Sequence, residues 1–239
     1  MENILGFQPV LECLLGYLYE GEIENLLIAV PGIEEKFSRH ASYDLYKSRL
    51  ASLKSVRENS LNLKNISDQT FEICVEALKK NVFTFEYVKN KIEDICIYAV
   101  KQSPVFYSYG LSEEYLTEKV CYAAISAHRD ALYWIKNQTY EMCMYAVNLH
   151  GDFLKDVKIP QTDELCLAAV KNYGNAIKYV KNQTEEICLA AVKRNPISLQ
   201  YIKVHTGLVC FTAAKTNRSA IPYITDSALR LKIIQKLKY

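Results

Sequence analysis

The chain has 239 residues, 50% apolar and 23% charged, enough to bury a full core and remain soluble. Its 29 basic and 27 acidic residues leave a net charge of +2, which gives no bulk drive toward nucleic acid or an anionic membrane. No apolar run approaches the ~18–20 residues that span a bilayer, and Met1-Glu2-Asn3 lacks the positive start of a secretory signal, so the expectation is a protein inside a cell.

Residues 1–66 carry apolar patterns of helical period at Val10 to Tyr19, Ile23 to Val30 and Ile33 to Leu50, then a polar stretch from Ser52 to Asn65. They are expected to form an N-terminal helical module that caps the array of repeats beginning at residue 67.

From 67 to 226 the sequence repeats. Cys74, Cys96, Cys121, Cys143, Cys166, Cys188 and Cys210 follow one another at intervals of 22, 25, 22, 23, 22 and 22 residues. Three positions after each cysteine stands an alanine, from Ala77 through Ala99, Ala124, Ala146, Ala169 and Ala191 to Ala213. Four positions before stand Thr70, Thr117, Thr139, Thr162, Thr184 and Thr206, with Ile92 as the exception. Counting from the cysteine, apolar residues at −1, 0, +3 and +4 (Ile187, Cys188, Ala191, Val192) form one face of a helix. The threonine precedes acidic residues such as Glu185 and Glu186, an N-cap followed by carboxylates at the positive helix end. Position +7 (Asn81, His150, Tyr173, Asn195), often followed by Gly or Pro, predicts the stop. The second half (Ala176, Ile177, Tyr179, Val180) allows about two further turns. Helices this short are marginal alone, so each hairpin must lean on the next. The expected fold is all-α: an α-solenoid of about seven 22-residue helix-turn-helix repeats with a helical cap at each end.

A three-residue insertion between Cys96 and Cys121, around Tyr109-Gly110-Leu111-Ser112, interrupts the register. Tyr107, Tyr109 and Tyr115 make it a candidate partner contact. Beyond it, residues 227–239 place Leu229, Ile233 and Leu237 on one helical face, which reads as a C-terminal capping helix.

No catalytic or cofactor-binding constellation emerges. The four histidines are scattered, and phosphate-loop, nucleophile-elbow and H-E-x-x-H motifs are absent from the sequence. Cysteines one repeat apart should sit ~8–10 Å from each other, beyond the ~7 Å limit for disulfides. They also lack the paired short spacings of zinc ligands, so the expectation is buried thiols, no metal and no enzyme. Lys79, Lys101, Lys171, Lys193 and Lys215 form a row late in the first helices and are the second candidate partner-binding set. A second row (Lys89, Lys136, Lys158, Lys181, Lys203) accompanies a column of Tyr87, Tyr109, Trp134, Tyr179, Tyr201 and Tyr223. Alternating aromatic and basic residues suit single-stranded nucleic acid. Tyrosines at a helix-stacking position are more often core with a wet hydroxyl, so protein partners are expected over nucleic acid.

The stretches T-E-E-I-C-L-A-A-V-K-R-N at 184–195 and A-I-K-Y-V-K-N-Q at 176–183 resemble an uncharacterised helical-hairpin repeat family known mainly from giant DNA viruses of amoebae. The likeness covers about two thirds of the chain, with weaker copies at Cys121 and Cys210. It implies an origin, the host cytoplasm or virus particle as location, and no active site. Val10, Leu11, Leu14, Leu15, Tyr17 and Leu18, with Ile23, Leu26 and Val30, resemble the apolar rhythm of an F-box, departing from it at Pro9 and Pro31-Gly32. Together these imply a non-enzymatic scaffold for protein–protein contacts, structural or virion-associated, or alternatively an F-box-type adaptor for a ubiquitin ligase.

Overall fold

The computed structural model describes residues 41–103, 106 and 111–237, which are helical and contain no strand. The patterns at Val10 to Tyr19 and Ile23 to Val30, with the F-box-like rhythm they carry, lie outside the described residues. The chain divides into two compact units at the predicted insertion, Met1–Phe106 and Tyr107–Tyr239.

The first unit contains α1 (Ala41–Glu58), α2 (Phe71–Lys80) and α3 (Glu93–Gln102), with short 3-10 helices at Ser60–Asn65 and Val82–Tyr87. α1 packs on α2 and α2 on α3. In the second unit, α4 (Glu118–Ala127) leads through α5 (Ala131–Trp134) to α6 (Tyr140–Leu149). There follow α7 (Asp163–Asn172), α8 (Glu185–Arg194), α9 (Gly207–Thr216) and α10 (Ser227–Lys236). The 3-10 helices Gly151–Asp156, Gly174–Tyr179, Pro196–Tyr201 and Arg218–Tyr223 alternate with them. Helices α6 to α9 stack in sequence order and α10 covers α9.

Each repeat is built as its spacing predicts. The six threonine hydroxyls accept from the amide three residues on, at 3.2 to 3.4 Å, and α3, which begins after Ile92, has no side-chain cap. All seven alanines of the +3 column are 0% exposed, and each of their carbonyls accepts from the +7 amide that ends the helix. With a methyl group at this point, neighbouring first helices approach closely. Ala191→Leu is expected to cost about 2 kcal/mol by overpacking, and Lys193→Leu, on the solvent side, less than about 0.5. Equal midpoints for the two variants in denaturant would overturn the register.

The second halves after Cys74, Cys143, Cys166, Cys188 and Cys210 have the predicted two turns, but as six-residue 3-10 helices, and the one after Cys121 is the four-residue α5. The +7 residue explains why: it ends the first helix and starts the next. Asn81, Asn195 and Asn217 place their side-chain oxygens 2.9 to 3.2 Å from the amide two residues on, so the chain turns with no room for an α-helical cap. Asn59 does the same for Leu61 at 3.1 Å, which puts Ser52 in the cysteine position and the buried Leu63 in line with Phe85. The polar stretch Ser52 to Asn65 is therefore the end of a helix and a 3-10 turn, a further hairpin in register with the array.

The repeats are tied together by a glutamine at −5. Gln138 donates to Leu132 O at 2.8 Å in its own repeat and to Asp156 O at 2.9 Å in the next, and it accepts from the Lys158 amide at 2.8 Å. Gln69 and Gln183 span equivalent carbonyls and amides, and Gln161 makes the two bonds to the following repeat. Gln69 and Gln183 thus fill the C-terminal ends of two successive 3-10 helices, Gln138 those of α5 and the 3-10 helix after it, and Gln161 that of the following one, whose carbonyls would otherwise be orphaned.

Candidate partner-binding surface

The seven repeat cysteines are free and at most 3% exposed. Several turn their thiols back on the −5 residue: Cys143 lies 3.5 Å from Gln138 Oε1 and Cys96 3.5 Å from Lys91 O. Burial pushes the thiols of Cys74, Cys143, Cys166 and Cys210 up to about 11 from an ordinary 9.0. A raised acid pKa favours the folded state below the unfolded pKa, so stability is expected to fall as pH rises from about 9 to about 11. Cys143→Ala should reduce that slope, and the seven thiols should resist a thiol-exchange reagent at pH 8 until denaturant is added. Among the described residues, no group of three His, Cys, Asp or Glu is placed to hold a metal ion.

The candidate lysines divide. Lys79 is engaged by the Glu76 carboxylate, which it holds below the usual carboxylate range, while Arg57 bonds the same group at 3.2 Å. Lys101 is exposed in the last turn of α3. Lys171, Lys193 and Lys215 stand exposed in the last turns of α7, α8 and α9, and no ion pair of the described residues involves them. Tyr115 is half-buried in a 3-10 turn at Glu113–Tyr115, whereas Tyr107 and Tyr109 lie outside the described residues.

Two lysines of the second row close helix ends, while Lys136 pairs with Glu113 at 2.9 Å. Lys158 Nζ donates to Tyr133 O and Ile135 O at 2.6 and 3.0 Å, and Lys203 Nζ to Lys181 O at 3.3 Å. These cations sit on carbonyls at the negative ends of the preceding short helices. The adjoining aromatics are half-buried to exposed, with Lys178 packed over the Tyr179 and Tyr201 rings at 4.7 and 5.8 Å.

Two shallow grooves run between the first helices of the second unit. The one between α6 and α7 has Met144 and Leu167 on its floor, and the one between α7 and α8 has Leu167, Leu189 and Ala190. At one end stand Glu164 and Glu186, at the other Lys171, Lys193 and Arg194. The helices are parallel and in register, because Asn172 Nδ2 donates to Asn148 O at 2.7 Å and Arg194 Nε to Asn172 O at 3.1 Å, C-terminal end to C-terminal end. The acidic and basic residues therefore form two rows, about 10 Å apart along the helices. The lysine row is legible in the sequence spacing; the carboxylates read there as caps alone, and the apolar floor between the two rows has no signal in it.

Residues 162–205, from the cap of α7 to the entry of α9, match the model of a family described as a domain of unknown function, DUF4116. The match spans two periods of the array. No curated protein and no solved structure matches the chain. No helix among the described residues is long and apolar enough to cross a membrane.

Proposed function

We propose that the chain is a non-enzymatic helical-repeat scaffold that holds protein partners on the exposed face of its first helices, with α6 to α9 as the centre. The observation that carries this reading is the division of labour in the repeat. The −5 glutamine, the −4 threonine, the +3 alanine, and Lys158 and Lys203 of the second lysine row pack or close helix ends, whereas no hydrogen bond or ion pair of the described residues engages the side chains of Lys171, Lys193 and Lys215. Their face offers a repeated apolar floor between charged rims, the composition of a binding surface rather than of a catalytic pocket.

A photo-crosslinking side chain at Leu189, on the groove floor, is expected to give protein adducts in the native source that the same probe at the exposed Asn182 does not. Equal adducts at both sites, or none at Leu189, would remove the reading. The giant-virus resemblance refines it to a structural or virion-associated component, and absence of the chain's peptides from purified particles would sink that refinement. The adaptor reading rests on residues 10–30, outside the described structure, and no structural observation favours it.

A further inference from the structure

The two rims of the first-helix face are complementary to each other, and we propose that the occupant of this face is a second copy of the chain, related by a two-fold axis along the stack. This inference rests on the binding role proposed for the same surface and names its partner.

Glu164 and Glu186 line one rim, and Lys171, Lys193, Arg194 and Lys215 the other. The ion pairs described in the second unit all join other residues: Arg129 with Asp152, Lys136 with Glu113, and Lys155 with Asp130 and Asp156. Within the chain the rims cannot neutralise each other. They stand about 10 Å apart along each helix, a full Debye length, while like charges recur across the stack at about 8–10 Å. The arrangement complements the helix dipoles at both ends, yet it leaves two parallel rows of opposite sign facing solvent across an apolar strip.

That pattern selects its partner. An acidic peptide or a nucleic acid would satisfy the basic row and meet the acidic row at the other rim. A copy rotated by 180° about the stack axis lays its acidic row on the basic row and its basic row on the acidic one. The floors of Leu167 and Leu189 then meet, and the facing helices run antiparallel. Such an interface is isologous, so each favourable row pairing occurs twice. A two-fold along the helices instead would set like rows against each other, so the charges also fix the orientation.

The test uses the full chain. Wild type is expected to form a dimer in sedimentation velocity across the micromolar range, one that weakens with added salt. The variant carrying Lys171→Glu with Lys193→Glu, and the variant carrying Glu164→Lys with Glu186→Lys, should each weaken self-association by about tenfold or more. Mixed together, they should pair with each other, since one then carries acidic residues on both rims, beside the retained Arg194 and Lys215, and the other carries basic residues on both. All four residues are exposed, Glu164 also accepting from the Tyr140 hydroxyl at 2.9 Å, and unchanged helical circular dichroism and denaturation midpoints would show that the variants fold. A monomeric wild type, or a mixture that stays monomeric, overturns the proposal. If a wild-type monomer still gives Leu189-specific adducts with other proteins, the scaffold reading stands and only the second copy is excluded. Dominant binding of a polyglutamate peptide to a wild-type monomer would assign the face to an acidic partner instead.

Discussion

Gly151→Val is expected to destabilise the second unit by at least about 3 kcal/mol, the largest single effect predicted for this chain. A side-chain carbon at position 151 would stand 2.2 Å from Ala169 O and 2.9 Å from Tyr173 Cβ. The first of these atoms is backbone in the last turn of α7, so no side-chain rotation relieves the overlap. The whole junction between two repeats must open, and the Gly151 amide then loses its 2.8 Å bond to Asn172 Oδ1, which reaches across from the next helix. Gly174 meets Ala191 O at 2.8 Å in the same way, so Gly174→Val should cost somewhat less. Gly207 is the control: at the first position of α9 its added carbon would meet nothing nearer than Leu229 Cδ1 at 3.8 Å. Gly207→Ala should stabilise by about 0.5–1 kcal/mol through the loss of unfolded-state freedom. Urea titrations followed by circular dichroism decide it; equal midpoints for Gly151→Val and Gly207→Ala would mean that the repeats do not approach as described.

Gly151 and Gly174 share the +8 column and Gly207 stands at −3, yet neither column tells how closely the next repeat approaches. The threonine, cysteine and alanine columns are legible because their work is local: a hydroxyl caps the turn beside it, and a small side chain lies on the face its own helix buries. The closeness of one junction is not local. The same column carries Val82 and Pro196 in other repeats, so the tight approach belongs to the junctions at 151 and 174 and not to the consensus. The hairpin from Ala41 to Asn65 escaped for a related reason. Ser52 replaces the cysteine and no threonine precedes it, which removes the columns that mark a repeat while leaving Asn59, Leu63 and Gln69 to do the structural work. On the candidate surface, the lysine row was readable from spacing, whereas the i, i+3 carboxylate of Glu76 that occupies Lys79 was not drawn from it. The groove floors were not, because Leu167 and Leu189 sit at positions that a helical wheel counts as solvent side until the neighbouring helix is placed.

The glutamine column is the clearest case of a residue visible in the consensus whose function lies elsewhere in the chain. Gln138 is 9% exposed, and its carbonyl partners lie 6 residues before it and 18 after it. Gln138→Leu keeps the volume and removes the bonds, leaving Leu132 O, Asp156 O and the Lys158 amide without their partner. Buried groups so orphaned cost about 1–3 kcal/mol each before relaxation, and a net loss of about 3 kcal/mol is expected. Gln200→Leu removes one exposed bond, to Ile197 O at 3.1 Å, and should cost less than about 0.5. Gln138→Glu separates the two halves of the amide's role. As a carboxylate it still accepts from the Lys158 amide but sets an oxygen against two carbonyls, so folding favours its protonated form and raises its pKa above the unfolded value of about 4.3. The stability of this variant relative to wild type is therefore full at low pH and lost as pH rises through the raised value. A Gln138→Glu deficit that does not shrink between pH 7 and pH 5 would show that the donor bonds to Leu132 and Asp156 contribute nothing to holding the repeats together.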